Sequence, residues 1–309
     1  VFDKLLATSG NGSGDSVTLG DSSGGSTDFS GESVAVTSDA ADVNLDSAAN
    51  LRLALSSESG VQNLTLTGLA GAGLSAVGND LGVTMDASAL SASGDGVTLE
   101  GGLGNDTFIG SALSDTIVLA TGGGDDIVDG GEGVDTATFS SSASPLTIDL
   151  SDGARQDEFT PLGGTQGDYF AGNLGSRTIY FTADASGDSA IENIVGTSAA
   201  DNITGDSNDN SFSGGGGGDT LRGGEGVDTL YGQAGDDSLY GDDGADTIYG
   251  GAGNDALDGD DGVAGDDLIF GEDGDDTLIG DAGSDTLSGG SGDDSIFGGA
   301  DQDTLTGEA

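Results

Sequence analysis

The sequence predicts an all-β protein, an elongated parallel β-roll or β-solenoid with a β-rich N-terminal region and an inserted β segment. Three observations predict it. A nine-residue period runs through the C-terminal third, an apolar residue keeps one phase of that period, and glycine supplies 62 of the 309 residues while proline supplies 2. Flexible low-complexity chains usually favour both glycine and proline, so glycine without proline points to repeated tight turns. Aromatic residues are 5% of the chain and tryptophan is absent, which suits a thin, repetitive core better than one thick one.

The period is written Gly-Gly-x-Gly-x-Asp-x-U-x, with U a large apolar residue. Its units start at Gly196, Gly205, Gly214, Gly223, Gly232, Gly241, Gly250 and Gly259. They gain three residues in GDDGVAGDDLIF and resume at Gly271, Gly280, Gly289 and Gly298. The sixth position reads Asp201, Asn210, Asp219, Asp228, Asp237, Asp246, Asp255, Asp267, Asp276, Asp285, Asp294 and Asp303. The eighth runs from Ile203 and Phe212 through Leu239 and Ile248 to Leu305, and is apolar in every unit. A shorter block, GGLGNDTFI, GSALSDTIV, TGGGDDIVD and GGEGVDTAT, places Asp106, Asp115, Asp126 and Asp135 at the same position.

Each position has a physical role. Glycines at positions one, two and four let the backbone curl at positive φ, turning carbonyls into the loop. The sixth-position aspartate adds a hard anionic oxygen. Stacked loops then offer carboxylate and carbonyl oxygens together, the donor set that Ca²⁺ prefers. Positions seven to nine form a short strand whose middle side chain faces inward. Two units make one coil, so alternate loops stack on opposite sides, with one ion expected between loops two units apart. Twelve loops and a block of four then predict roughly a dozen ions, which would offset about half of the formal charge of -51.

With these motifs the chain resembles the RTX (repeats-in-toxin) proteins over about half its length. The resemblance implies a calcium-binding β-roll, export by a type I system, and a chain that stays unfolded in low-calcium cytoplasm and folds outside the cell. It also implies that a segment interrupting the arrays is an elaborated coil of one roll.

Residues 1–100 form an N-terminal β-rich or β-solenoid region with period-two strand candidates at SVAVT, DVNLD, LRLAL, NLTLT, GVTMD and GVTLE, and a short helical turn near FDKLL. This region is expected to run directly into the first calcium block at 101–138. Residues 139–195 break the period and contain Phe139, Phe159, Tyr169, Phe170, Tyr180 and Phe181, with strands at LTIDL and RTIYF. They brace the roll or present a contact surface. The main array is 196–309. At the ninth position Tyr231, Tyr249 and Phe270 are expected to stack across neighbouring strands, for stability or as a lateral patch.

The remaining composition restricts function. With 56 acidic and 5 basic residues, nucleic acid, anionic membrane and acidic substrates are poor partners, and divalent metal is the natural counter-charge. The absence of both Cys and His removes Cys/His zinc sites, the HExxH helix and Ser-His-Asp triads. No run approaches the roughly 18 apolar residues of a membrane span. The chain begins at Val1 with no signal peptide, as expected of a processed product or a fragment. The pairs Asp125-Asp126, Asp236-Asp237, Asp275-Asp276 and Asp293-Asp294 superficially suggest acid/base chemistry, yet in each the second carboxylate falls at the ligand position and the first at the outward fifth position. No GKS or GKT follows the glycine-rich stretches, so a phosphate loop is not expected.

The expected function is therefore non-enzymatic: a secreted, bacterial, calcium-binding structural protein of the extracellular space or cell surface, such as an S-layer subunit, surface filament or matrix component. The array runs in register to Gly307 without a polar cap, which predicts self-association into a homo-oligomer or polymer. A cell-surface polysaccharide is a further candidate partner. The alternative is the folding and secretion module of a larger exported enzyme or adhesin.

Overall fold

In a computed structural model, the described residues comprise the strand backbones at 16–19, 33–36, 42–46, 52–55 and 63–69, then 74–91, 96–119, 124–139, 142 and 144–150. They continue with the strands at 156–159, 167–174 and 177–182, and with 190–259 and 265–307. The helical turn expected near FDKLL lies outside them. The described residues contain no helix, and hence none that could cross a membrane. The chain divides into two compact units, one of residues 1–138 with 177–184 and the other of 139–176 with 185–309.

The first unit is a parallel solenoid of two sheets. One sheet stacks Ser16–Leu19, Asp42–Asp46, Asn63–Leu69, Thr84–Ser91, Thr107–Ile109, Asp126–Asp129 and Arg177–Thr182 in that order. The other stacks Ser33–Val36, Arg52–Leu55, Ser75–Val77, Thr98–Glu100, Thr116–Val118 and Thr136–Thr138. The irregular N-terminal strands and the first repeat block thus share continuous ladders, joined where Met85 pairs with Phe108 and Leu99 with Ile117. The core is the inward row of each sheet, with Met85, Leu99, Phe108, Ile117 and Val128 fully buried. Phe181 lies in the same core, since Arg177–Thr182 adds to the sheet beside Asp126–Asp129.

The second unit repeats this plan with stricter spacing. One sheet runs from Leu146–Asp149 through Asn202–Thr204, Thr220–Gly226, Ser238–Gly244, Ala256–Asp258 and Thr277–Ile279 to Ser295–Phe297. The other runs from Asn193–Val195 through Ser211–Gly216, Thr229–Ala234, Thr247–Ala252, Leu268–Asp273 and Thr286–Ser291 to Thr304–Thr306. Eighth-position residues stack in register, Leu221 on Leu239 on Leu257 in one sheet and Leu230 on Ile248 on Ile269 in the other. All six are at most 1% exposed, so the coil interior is one side chain thick on each side. The seventh and ninth residues flank them outward, as a pleated strand requires. Antiparallel pairing enters with Gly167–Leu174, which pairs with Leu146–Asp149 and with Gln156–Phe159.

The three-residue insertion after Gly259 leaves both ladders in phase. Tyr249 pairs with Phe270 and Leu257 with Leu278, each across 21 residues rather than 18. A slip within a strand would turn Ile269 outward, and Ile269 is instead fully buried.

Candidate metal centre

The loops between strands carry the acidic side chains, and the coil geometry sets what each faces. In the second unit the sixth-position residues form two ladders. The backbone N–H of Asp201 donates to Oδ1 of Asp219 at 2.8 Å, Asp219 to Asp237 at 2.7 Å, Asp237 to Asp255 at 2.8 Å, Asp255 to Asp276 at 2.8 Å and Asp276 to Asp294 at 3.1 Å. On the opposite side the same bond runs from Asn210 to Asp228 at 2.6 Å, then to Asp246, Asp267, Asp285 and Asp303 at 2.8–3.2 Å. In the first unit Asp106 and Asp115 donate likewise to Asp126 and Asp135. Each carboxylate therefore takes one oxygen back to the previous coil, and odd and even loops stack on separate sides.

The ladders reach beyond the repeats that the sequence marks. Oδ1 of Asp106 accepts from the N–H of Val83, that of Asp115 from Val97, and that of Asp201 from Leu146 in the inserted strand. Those three positions lack an aspartate of their own, and the nonapeptide frame gives no sign of them. A second, outer ladder was equally hidden. Fifth-position side chains bond in the opposite direction, with Asp236 accepting from the N–H of Asn254, Asn254 from Asp275, and Asp275 from Asp293. In the adjacent acidic pairs the first carboxylate is thus exposed, and those of Asp236 and Asp275 accept a backbone N–H, while Asp126, Asp237 and Asp276 are buried in the loop and Asp294 half-buried.

Burial of the inner row is severe. Asp106, Asp115, Asp126, Asp135, Asp201, Asp219, Asp228, Asp237, Asp246, Asp255, Asp267, Asp276 and Asp285 are at most 3% exposed, and Asp294 and Asp303, in the last coil, are half-buried. Oδ2 of Asp219, Asp228, Asp237, Asp255, Asp276 and Asp294 is buried with no hydrogen-bond partner. A solvent-excluded anionic oxygen without a donor is costly unless something cationic meets it. The electrostatics agree. Desolvation, followed by the charges of Asp237 and Asp201, pushes the carboxyl of Asp219 up to about 7. Desolvation with Asp246, Asp209 and Asp206 pushes Asp228 up to about 8, and desolvation with neighbouring aspartates pushes Asp255 up to about 6. Burial also raises Asp115, Asp201, Asp237 and Asp276.

Backbone conformation completes the cradle. Positive φ falls at positions two and four, and non-glycine residues such as Gln233 (75°) and Glu272 (76°) adopt it at position two. Glycine at position one is needed for a different reason than curl. A Cβ on Gly232 would run into Oδ2 of Asp237 and the carbonyl oxygen of Gly250, which converge on that α-carbon. The donor set is oxygen throughout. Among the described residues no three acidic side chains come together as a metal cluster, so one carboxylate per loop with backbone carbonyls must supply the ligands. Hard, numerous and partly neutral oxygens suit Ca²⁺ and not a thiolate- or imidazole-seeking metal.

Tyr231, Tyr249 and Phe270 stack as their phase predicts, with ring centroids 5.0 Å apart and planes within 12°. Their faces cover one another, leaving mainly edges for any further partner. Of the aromatics in 139–195, Phe139 and Phe181 are fully buried and brace the core.

A parallel β-roll whose stacked glycine loops enclose unsatisfied carboxylate oxygens is a calcium-loop solenoid. The chain belongs to the RTX calcium-binding nonapeptide repeat family. The family model, four copies of that repeat, matches residues 90–117, 118–137, 186–221, 213–247, 222–257, 231–264, 261–287 and 279–309, together more than half of the chain. Comparison with curated proteins finds no significant match.

Proposed function

We propose that this chain is a non-enzymatic, extracellular structural protein of a bacterium, which folds when it meets Ca²⁺ outside the cell and then associates with copies of itself. The observation that carries the reading is the row of buried Oδ2 atoms on a chain of formal charge -51. Asp201, Asp219, Asp228, Asp237, Asp246, Asp255, Asp267, Asp276, Asp285, Asp294 and Asp303 of the main array, with Asp106, Asp115, Asp126 and Asp135 of the first block, are the candidate carboxylate ligands. Ca²⁺, when bound, supplies positive charge and many flexible coordination positions. The aspartates hold Oδ1 on the previous coil and present Oδ2 to the loop interior, while the glycines keep that space clear. Without counter-charge, like carboxylates stacked one coil apart oppose closure, which suits a chain that must stay unfolded during export.

Neutralisation of much of the formal charge of -51 by bound Ca²⁺ would let like-charged copies approach, which supports self-association.

The test is circular dichroism and light scattering of the purified chain as Ca²⁺ rises from micromolar to millimolar. The expected result is a gain of β signal followed by growth in particle mass, with Mg²⁺ substituting poorly because of its small octahedral shell. Full β signal in excess EGTA would sink the calcium switch. A calcium-saturated species that stays monomeric at high concentration would instead favour the folding and secretion module of a larger enzyme or adhesin.

A further inference from the structure

The loops are not chemically alike. In every described loop from Gly214 onward the second residue has positive φ, between 59° and 113°. In the loops at 101–106, 110–115, 196–201 and 205–210 the second residues, Gly102, Ser111, Thr197 and Asp206, do not. There the second N–H turns onto the loop's own sixth residue. Gly102 donates to Oδ2 of Asp106 at 2.9 Å, Ser111 to Oδ2 of Asp115 at 2.5 Å, Thr197 to Oδ2 of Asp201 at 2.7 Å, and Asp206 to Oδ1 of Asn210 at 3.1 Å. Two of them add a hydroxyl. Ser111 Oγ donates to Oδ1 of Asp115 at 3.1 Å and Thr197 Oγ1 to Oδ1 of Asp201 at 2.9 Å, each hydroxyl also accepting the N–H two residues on.

These bonds occupy the oxygen that Asp219, Asp228, Asp237, Asp255, Asp276 and Asp294 leave without a hydrogen-bond partner. In Asp201 both oxygens are taken, by Thr197 and by the N–H of Leu146, whereas Oδ2 of Asp219 one coil on has no hydrogen-bond partner. At Asn210 the ligand charge is gone, and its amide donates to the carbonyl of Glu192 at 3.3 Å. An N–H and a hydroxyl aimed at a carboxylate do locally what a cation does, at lower strength but with no need of metal.

We propose that the array contains two kinds of loop: self-closed loops, whose second residue bonds the sixth and which hold their shape without metal, and open loops, whose second residue is left-handed and which take Ca²⁺. The self-closed loops precede the open ones in each array, so they form a metal-independent seed on which the calcium-dependent coils stack. Thr197 and Ser111 reinforce the self-closed form in their own loops with a hydroxyl bond to the sixth residue. This deepens the calcium reading and rests on it, since it assigns which loops need the ion.

The experiment is hydrogen exchange with mass spectrometry on the full chain, in EGTA and along a Ca²⁺ titration. In EGTA the segments 107–118 and 193–213 are expected to stay protected while 220–306 exchanges freely, and added Ca²⁺ is expected to protect 220–306 and change the other two by less than about twofold. Thr197→Val should speed exchange of 193–204 in EGTA by about tenfold, the cost of a lost buried hydrogen bond, and Thr197→Ser should restore it. Asp219→Asn should lower the calcium affinity of 220–306. Loss of protection in all segments together in EGTA, regained with one calcium midpoint, would overturn the two-loop assignment. No calcium response anywhere would overturn the calcium reading of the array itself.

Discussion

Asp228→Asn separates the two roles of an inner carboxylate. Asn keeps an Oδ1 that can accept the N–H of Asn210, which Asp228 holds at 2.6 Å, so the ladder is preserved while the charge is removed. The carboxyl rises from 3.8 to about 8 in the folded chain, chiefly through desolvation. A group whose folded pKa is raised contributes stability that is fully present below its unfolded pKa and is lost as pH climbs through the folded value. Ionised Asp228 therefore opposes the metal-free fold increasingly from about pH 4 to pH 8. At about 1.4 kcal/mol per pH unit the cost reaches at most about 6 kcal/mol, similar to the whole stability of many domains. In EGTA, wild-type β signal should fall as pH rises from 5 to 8, and Asp228→Asn should hold its signal to higher pH. In saturating Ca²⁺ the order inverts, because the variant lacks an anionic ligand and binds more weakly. Circular dichroism against pH and calorimetric calcium titration read the two arms. Superimposable EGTA curves, or equal calcium affinity, would refute the reasoning.

Three further substitutions test other parts of the roll. Asp246→Ala removes the acceptor for the Asp228 N–H together with a candidate ligand, and should weaken calcium binding by tenfold or more; Asp275→Ala removes an exposed fifth-position acceptor and should stay within about 0.5 kcal/mol. Equal effects in calcium titrations would contradict the assigned phase. Leu239→Asp places an unpaired charge between Leu221 and Leu257 in the core and should prevent folding of the array at any calcium level, whereas Leu239→Ala should cost about 2–5 kcal/mol in urea melts. Gly232→Ala drives a methyl against Asp237 and the Gly250 carbonyl, so it should raise the calcium concentration at half-folding; an unchanged midpoint would show that position one has room to spare.

The nine-residue period determined much of this molecule directly. Apolar eighth positions, aspartate at the sixth and glycine at the turns specify strand, loop and oxygen-rich site within nine residues, so the parallel coil, its alternating sides and the Tyr231–Tyr249–Phe270 stack were legible from spacing alone. Local alternation likewise marked the strands at 33–36, 42–46, 52–55 and 63–69. It did not mark Ser16–Leu19 or Ser75–Val77, nor Gln156–Phe159 and Gly167–Leu174, whose pairing is antiparallel and outside the period.

Tertiary structure decided what depends on contacts a coil apart. Which N–H meets which carboxylate, 18 to 55 residues away, and so that Val83, Val97 and Leu146 continue ladders without an aspartate, is settled when coils stack. The first glycine reads in sequence as a conformational need and proves a steric one, because the atoms it avoids include a carbonyl from the next coil. The loops at 110–115 and 196–201 share the frame of their neighbours, and their difference appears in the φ of Ser111 and Thr197, in the direction of one N–H and in a hydroxyl bond to the sixth residue. A repeat pattern states which residue types recur; the packing of one coil on the next determines which of their oxygens remain without a donor.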